Sequence, residues 1–306
     1  MLRRVLLSAS HNPTIARAVR TAPLSRDVVR RFVAGETTES AVDATRDLVA
    51  AGLTVSLDHL GEDTVDVGQA KAVVKAYLDV LAVLEGEGLT AGAEVSVKLS
   101  AVGQALDEAM CLDHVTQIVE AATRAGTTVT LDMEDHTTTD STLGTLEAVR
   151  KEHPQTGAVI QAYLRRSAGD IEDLILSKAR VRLCKGAYKE PESVAFQSRK
   201  EVDLSYVRLL VRLMTDGAYP MVATHDPRLV AITEHLARKL GRAPGSYEYQ
   251  MLYGIRPTEQ RRLAAAGNPV RVYVPYGEEW YGYFMRRLAE RPANLAFFLR
   301  ALATTS

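Results

Sequence analysis

Side chains able to do chemistry recur in this chain at short, regular intervals. Residues 131–136 read LDMEDH, which sets Asp132, Glu134 and His136 at alternate positions. On a strand they would turn to one face, two carboxylates and an imidazole that a divalent metal can use. Lys98, Arg182 and Lys185 stand at comparable places in neighbouring segments. Three cations around a metal are unfavourable, so the metal reading is disfavoured. RLCKGAYKEP carries Lys185, Gly186 and Tyr188 just after a β-rich run, where a lysine and a glycine can admit a phosphate or a flat ring to the backbone. ATHDP brings Thr224 and His225 ahead of Pro227, a residue suited to the first turn of a helix. His225 fits a cap or a hydrogen-bond donor to a cofactor better than a general base.

Near the C-terminus, YGYFMRRLAERPAN places Arg286 and Arg287 beside Tyr281 and Tyr283. If residues 278–291 form a helix, Tyr283, Arg287 and Glu290 share a stripe, with Arg286 one position off it. Two forked guanidinium groups suit a carboxylate. From spacing alone, a solvated stripe with an ordinary Arg–Glu pair explains the pattern almost as well.

For these groups to meet, the fold must carry them to one place. From residue 52 onward, β-rich runs alternate with helical stretches: TVSLDHL (54–60), EVSVKLS (94–100), TVTLDME (128–134), AVIQAYL (158–164), RVRLCKG (180–186), YPMVATHD (219–226), YEYQML (247–252) and VRVYVP (270–275). Eight strands, each followed by a helix, is the count of a closed (β/α)8 barrel. Residues 12–51 read as two or three helices, with LSRDVVRRFVAGE and TTESAVDATRDLVAAG each carrying a Ser or Thr suited to an N-cap. The expected organisation is a set of N-terminal helices, 1–51, packed on an α/β barrel, 52–306.

The parity of the strands is more informative than their number. Val95, Val97 and Leu99 share one face, while Glu94, Ser96 and Lys98 share the other. Val129, Leu131 and Met133 oppose Thr130, Asp132 and Glu134; Val181 and Leu183 oppose Arg180 and Arg182; Val270, Val272 and Val274 oppose Arg271 and Tyr273. With the apolar face turned to the helices, Lys98, Asp132, Arg182 and Tyr273 point into the barrel near its C-terminal end, where barrel enzymes keep their sites. Gln161 and Thr224 join them. Interior salt bridges account for some of these charges, but several convergent polar groups favour a ligand site.

The remaining features exclude other classes. A net charge of −1 gives no electrostatic footprint for nucleic acid. Cys111 and Cys184 lack CxxC spacing and read as packing residues in a reducing compartment. The apolar run in MLRRVLLSAS is too short for a secretory signal, and no 18-residue apolar run occurs, so the expected location is cytoplasmic. The chain also lacks a Walker loop and a GxGxxG after a strand.

Taken in order, SVKLSA, LDMEDH, QAYLRR, RLCKGAYKEP, ATHDP, YEYQMLYGIRP, RVYVPYG and YFMRRLAERPAN, spanning residues 96–294, resemble the proline dehydrogenase family in its short monofunctional bacterial form. The resemblance implies a distorted TIM-like barrel that binds FAD non-covalently, with its last helix over the active site. It implies oxidation of L-proline to 1-pyrroline-5-carboxylate by hydride transfer from C5 to flavin N5. Electrons then pass to a membrane quinone, through peripheral contact at the inner face of the cell membrane. Asp132 and Arg182 match the catalytic positions. Lys98, Tyr273, Arg286 and Arg287 match substrate-binding positions and Tyr283 and Glu290 neighbouring pocket positions, with Asp132 and Lys98 expected as a buried pair. Met133, Gln161, Arg182, Lys185, Gly186, Ala187, Thr224 and His225 match flavin-contacting segments. Two departures stand out: Cys184 in place of Val, and Lys189 where bifunctional relatives have Trp. The alternatives are a flavin-free lyase or aldolase with Lys98 or Lys185 as a Schiff-base amine, and a non-catalytic carboxylate-binding barrel. Oligomeric state is not legible.

Overall fold

Alternating aliphatic residues produce the expected strands, and the strands close. The computed structural model describes residues 29–62 and 64–290, with side chains as far as Met285. The strands are β1 (Thr54–His59), β2 (Ala93–Val97), β3 (Val129–Leu131), β4 (Gly157–Gln161), β5 (Arg180–Cys184), β6 (Tyr219–Ala223), β7 (Glu248–Leu252) and β8 (Val270–Tyr276). Each pairs in parallel with the next, and β8 returns to β1 in the register Ser56↔Tyr273. The fold is therefore a closed (β/α)8 barrel.

The helices between the strands are α2 (Val67–Gly86), α3 (Glu108–Arg124), α4 (Thr139–Arg150), α5 (Ser167–Leu176), α6 (Arg199–Asp216), α7 (Pro227–Leu240) and α8 (Pro257–Ala265). α9 (Trp280–Glu290) follows β8. Several start on side-chain caps. Asp66 and Asp107 accept from backbone amides of α2 and α3, and Ser198 forms a capping box with Glu201 at α6. Asp226 caps α7, whose first residue is Pro227.

Every strand but β8 is shorter than its sequence run. Six of them stop before the last residues of the expected runs, and the chain turns at once into loops, with 3-10 segments at Leu99–Val102 and His136–Thr138. The physical reason is the chemistry of those residues. Glu134 reaches sideways to accept from the backbone amide and hydroxyl of Ser100, at 3.0 and 2.6 Å, rather than continuing the ladder. Short strands leave polar side chains clustered at the C-terminal mouth.

The core lies between barrel and helices. Val55, Leu57, Val95, Val97, Leu131, Ile160, Val181, Leu183, Val272 and Val274 point outward into it and are at most 2% exposed. Mostly polar residues of the opposite parity fill the interior, as the alternation predicts, with Val159 and Met221 as apolar members on β4 and β6. Among the described residues, no helix is long and apolar enough to cross a membrane.

α1 (Thr38–Ala50) is capped by Thr37 and packs on β1 and β8. The N-terminal part of the expected helical region, residues 1–28, lies outside the described residues. Ahead of α1, residues 29–36 are stitched to the β8–α9 junction. Ala34 donates to the Pro275 carbonyl at 3.0 Å, Gly277 to that of Gly35 at 2.9 Å, and Trp280 Nε1 to Glu36 at 2.8 Å. Val29, Phe32 and Val33 build a second apolar cluster with Trp280, Tyr283 and Phe284. Gly254, at φ +70°, allows this approach, because a Cβ there would lie 1.6 Å from the Arg31 carbonyl oxygen. Gly254→Ala should therefore lose more than about 1 kcal/mol of unfolding free energy and speed tryptic cleavage at Arg30 and Arg31. An unchanged melting temperature and cleavage rate would show that this docking does not matter.

Candidate active site

The barrel interior is a column of charges, each satisfied by another. At its centre, Arg182 on β5 donates from Nη1 to Asp132 Oδ1 at 2.6 Å and to the Ser96 hydroxyl at 2.8 Å, and from Nη2 to Ser56 at 3.2 Å. Its Nε donates to Gln250 at 2.5 Å, so each guanidinium nitrogen has a partner. The Tyr273 ring lies over this guanidinium, 5.3 Å from Cζ, and its hydroxyl donates to Asp132 Oδ2 at 2.7 Å. Burial and the neighbouring Asp132 carboxylate push the Tyr273 phenol well above its ordinary pKa.

Nearer the mouth, Lys98 donates to both oxygens of Asp58 at 2.6 Å, and to the Tyr273 hydroxyl at 3.3 Å. Burial pushes the Asp58 carboxyl up, with Lys98 acting against it. Burial also opposes the charge on Lys98, but Asp58 and Asp132 more than offset it and hold the ammonium above its ordinary value. Below Arg182, Glu94 meets Arg180 at 2.7 Å and Glu248 meets Arg271 at 2.8 Å. Burial works against the Glu94 charge, yet Arg271, Arg180 and Arg182 together hold its carboxyl below the ordinary range.

These residues open into a cavity of about 650 Å³ at the C-terminal mouth, a size typical of small-molecule and cofactor sites. The structure brings the sequence candidates together on its wall. Lys98, Asp132, Met133, Gln161, Arg182, Lys185, Gly186, Ala187, Thr224, His225, Tyr273 and Tyr283 all line it. Arg286 and Arg287 belong to α9, but their side chains, like that of Glu290, lie outside the described residues.

Gln161 donates to the Glu134 carbonyl at 2.7 Å. His225 Nε2 accepts from the Leu252 amide at 2.9 Å, which places the ring proton on Nδ1 and makes that nitrogen the donor. Lys185 reaches Asp203 at 2.5 Å and Asp226 at 3.1 Å. Its loop is fixed from below at Gly186, φ +108°, where a Cβ would come within 2.3 Å of the Tyr163 ring. The loop is also held from the side, since buried Glu190 accepts from the His136 backbone amide at 3.0 Å and the Tyr163 hydroxyl at 3.2 Å, and its other oxygen meets His136 Nδ1.

Three sequence expectations change. The close partner of Lys98 is Asp58, with Asp132 only at 4.0 Å. Asp132 instead belongs to Arg182, whose guanidinium is the nearer and better aligned cation. Asp132, Glu134 and His136 do not converge, because they turn to Arg182, Ser100 and Glu190 respectively. Cys184 is more than a packing residue: it lines the cavity, its thiol pushed up to about 11 by burial. Lys189 is exposed.

Asp58, Glu94, Glu248 and Gln250 went unassigned in the sequence. For Asp58 the signal was present, since TVSLDHL puts Ser56 and Asp58 on the same polar face as the other strands do. Gln250 and Glu248 alternate on YEYQML in the same way.

A closed parallel barrel whose polar interior opens into one cavity at the C-terminal mouth defines a (β/α)8 barrel enzyme. The family described as proline dehydrogenase matches residues 41–300. Proline dehydrogenase 1 of Bacillus subtilis (strain 168) is 40% identical over 99% of both chains, and proline dehydrogenase of Deinococcus radiodurans is 36% identical over 99% of this chain and 98% of its own. Among solved structures, proline utilization A from Bdellovibrio bacteriovorus superposes with a TM-score of 0.80 at 24% identity, over 86% of this chain. This chain spans only 32% of that longer protein. The chain thus belongs to the proline dehydrogenase family, oxidoreductases of proline metabolism.

Removing one member of the Lys98–Asp58 pair should strand a buried charge. Asp58→Asn should cost about 3 kcal/mol or more of unfolding free energy, and the double change Asp58→Asn with Lys98→Met should recover much of that loss. Denaturant unfolding of the three proteins measures it; equal midpoints for wild type and Asp58→Asn would contradict the pairing.

Proposed function

We propose that the cavity binds FAD and L-proline together and that the chain oxidises proline to 1-pyrroline-5-carboxylate. The observation that carries the reading is the convergence of twelve motif residues, drawn from six strand ends and α9, on one 650 Å³ cavity. Its wall suits a flat heterocycle with apolar faces and polar edges. Met133, Val159 and Met251 offer apolar surface, while Gln161, Gln250, Thr224 and His225 offer amide, hydroxyl and imidazole groups. A neighbouring groove of about 590 Å³ shares Arg199 with the cavity and is lined by Lys200, Arg228, Asp203 and apolar Leu204, Val207, Leu229 and Ile232. Arg199 and Lys200 offer positive charge there to the anionic, extended part of such a cofactor, whereas Arg228 is paired with Asp203 and Asp226.

When bound, the flavin supplies the two-electron acceptor for the hydride leaving proline C5. The chain's residues do the rest. Arg182, locked by its four side-chain partners, presents a fixed positive charge that favours an anionic reduced cofactor. The Tyr273 ring, held by its hydroxyl to Asp132, closes the side of the pocket against a hydroxylated ring. Arg286 and Arg287 are assigned to the substrate carboxylate on sequence resemblance, which fixes the ring for reaction. Asp132 and Lys98 are both committed to strong partners and are not proton acceptors. The amine therefore arrives neutral from solvent, and its ionisation sets the pH profile. The same pairing argues against Lys98 as a Schiff-base amine, which must be free and uncharged to attack a carbonyl. A membrane quinone, reached by peripheral contact, would be the acceptor that reoxidises the cofactor.

Purified protein should show a flavin absorbance band. Arg182→Met should retain the band but slow its anaerobic loss after mixing with L-proline by about a hundredfold in stopped-flow measurements. A wild-type rate in a folded variant would remove Arg182 from the chemistry.

A further inference from the structure

Beneath the cavity lies a tier of charge that the proposed reaction does not touch. Glu94 on β2 and Glu248 on β7 are each 1% exposed. Glu94 accepts from Arg180 Nη2 at 2.7 Å and lies 3.6 Å from both Arg182 Nη2 and Arg271 Nε. Glu248 takes the Arg271 guanidinium at 2.8 and 3.1 Å, and also accepts from Gln250 Nε2 at 2.5 Å. Gln250 in turn accepts from Arg182 Nε at 2.5 Å. One side of Arg182 thus faces the cavity, and the other is held by two carboxylates, one direct and one through an amide.

We propose that Glu94 and Glu248 are positioning residues that fix the orientation of Arg182 and set how positive the cavity floor is, and so determine the reduction potential of the bound flavin. The inference rests on the flavin reading above. Two arguments support it. Charges this deeply buried and a few ångströms apart are weakly screened, so each carboxylate is felt at the cavity. The tier is also poised in sign: its two carboxylates face three guanidinium groups, Arg180 and Arg271 within the tier and Arg182 above it, and the surplus is directed upward to Asp132. Removing a carboxylate leaves the floor more positive and favours the reduced, anionic flavin. Removing Arg180 does the reverse.

The test is spectroelectrochemical titration of flavin-loaded protein, with melting temperature recorded alongside. Glu94→Gln and Glu248→Gln should each move the midpoint potential positive. Glu94→Asp, which keeps the charge, should stay near wild type even if it melts earlier, an outcome that a purely structural role does not give. Arg180→Gln, at the less buried end of the tier, should move the potential negative. It also decides the matter if the glutamate variants fail to fold. A flavin-loaded Glu94→Gln or Arg180→Gln protein with the wild-type potential overturns this inference alone. A wild-type protein that binds no flavin overturns the reading of the site and this inference with it.

Discussion

The 2.6 Å contact between Arg182 and Asp132 is the interaction on which the rest of the barrel interior depends. Each buried ion carries a desolvation penalty of several kcal/mol. Arg180, Arg182, Arg271 and Lys98 are matched within the barrel by Asp58, Glu94, Asp132 and Glu248, so those eight groups sum to zero when ionised. Arg182 stands in the middle and touches both halves. Through Asp132 it orients the Tyr273 hydroxyl and the Lys98 pair above, and through Gln250 and Glu94 it is anchored to the tier below.

That arrangement explains why a barrel usually filled with branched aliphatic residues holds charge here. Apolar packing has moved to the outer layer, where Val, Leu and Ile of seven strands and Tyr249 and Met251 of β7 meet the helices, and stability comes from there. The interior is thereby freed for a rigid array of dipoles and charges, each held in place before any ligand arrives. Preorganised groups of this kind need no reorganisation when charge develops during reaction.

Much of this was legible in the sequence because parity is a local property. Val95–Val97–Leu99 against Glu94–Ser96–Lys98 can be read without knowing any neighbour, and the same rule placed Asp132, Arg182 and Tyr273 inside. Pairing is not local. Asp58 lies 40 residues from Lys98, and their contact follows from barrel closure and the β1–β2 register, Asp58↔Ser96. Arg182 and Asp132 are similarly joined across 50 residues. Strand ends were over-extended because Ser100 and Glu134 have β-compatible neighbours but satisfy each other instead. The clasp of Glu190 on His136 and Tyr163 had no signal at all, since three loops must converge before it exists.

Family membership joins this architecture to proline oxidation, and the cavity at the C-terminal mouth is where we propose that the reaction takes place. The most direct measurement is anaerobic titration of the purified protein with L-proline, followed by visible absorbance. A yellow protein whose flavin band bleaches stoichiometrically, with 1-pyrroline-5-carboxylate formed, is the result this account requires. A colourless protein, or a flavin band that L-proline leaves intact, would contradict it.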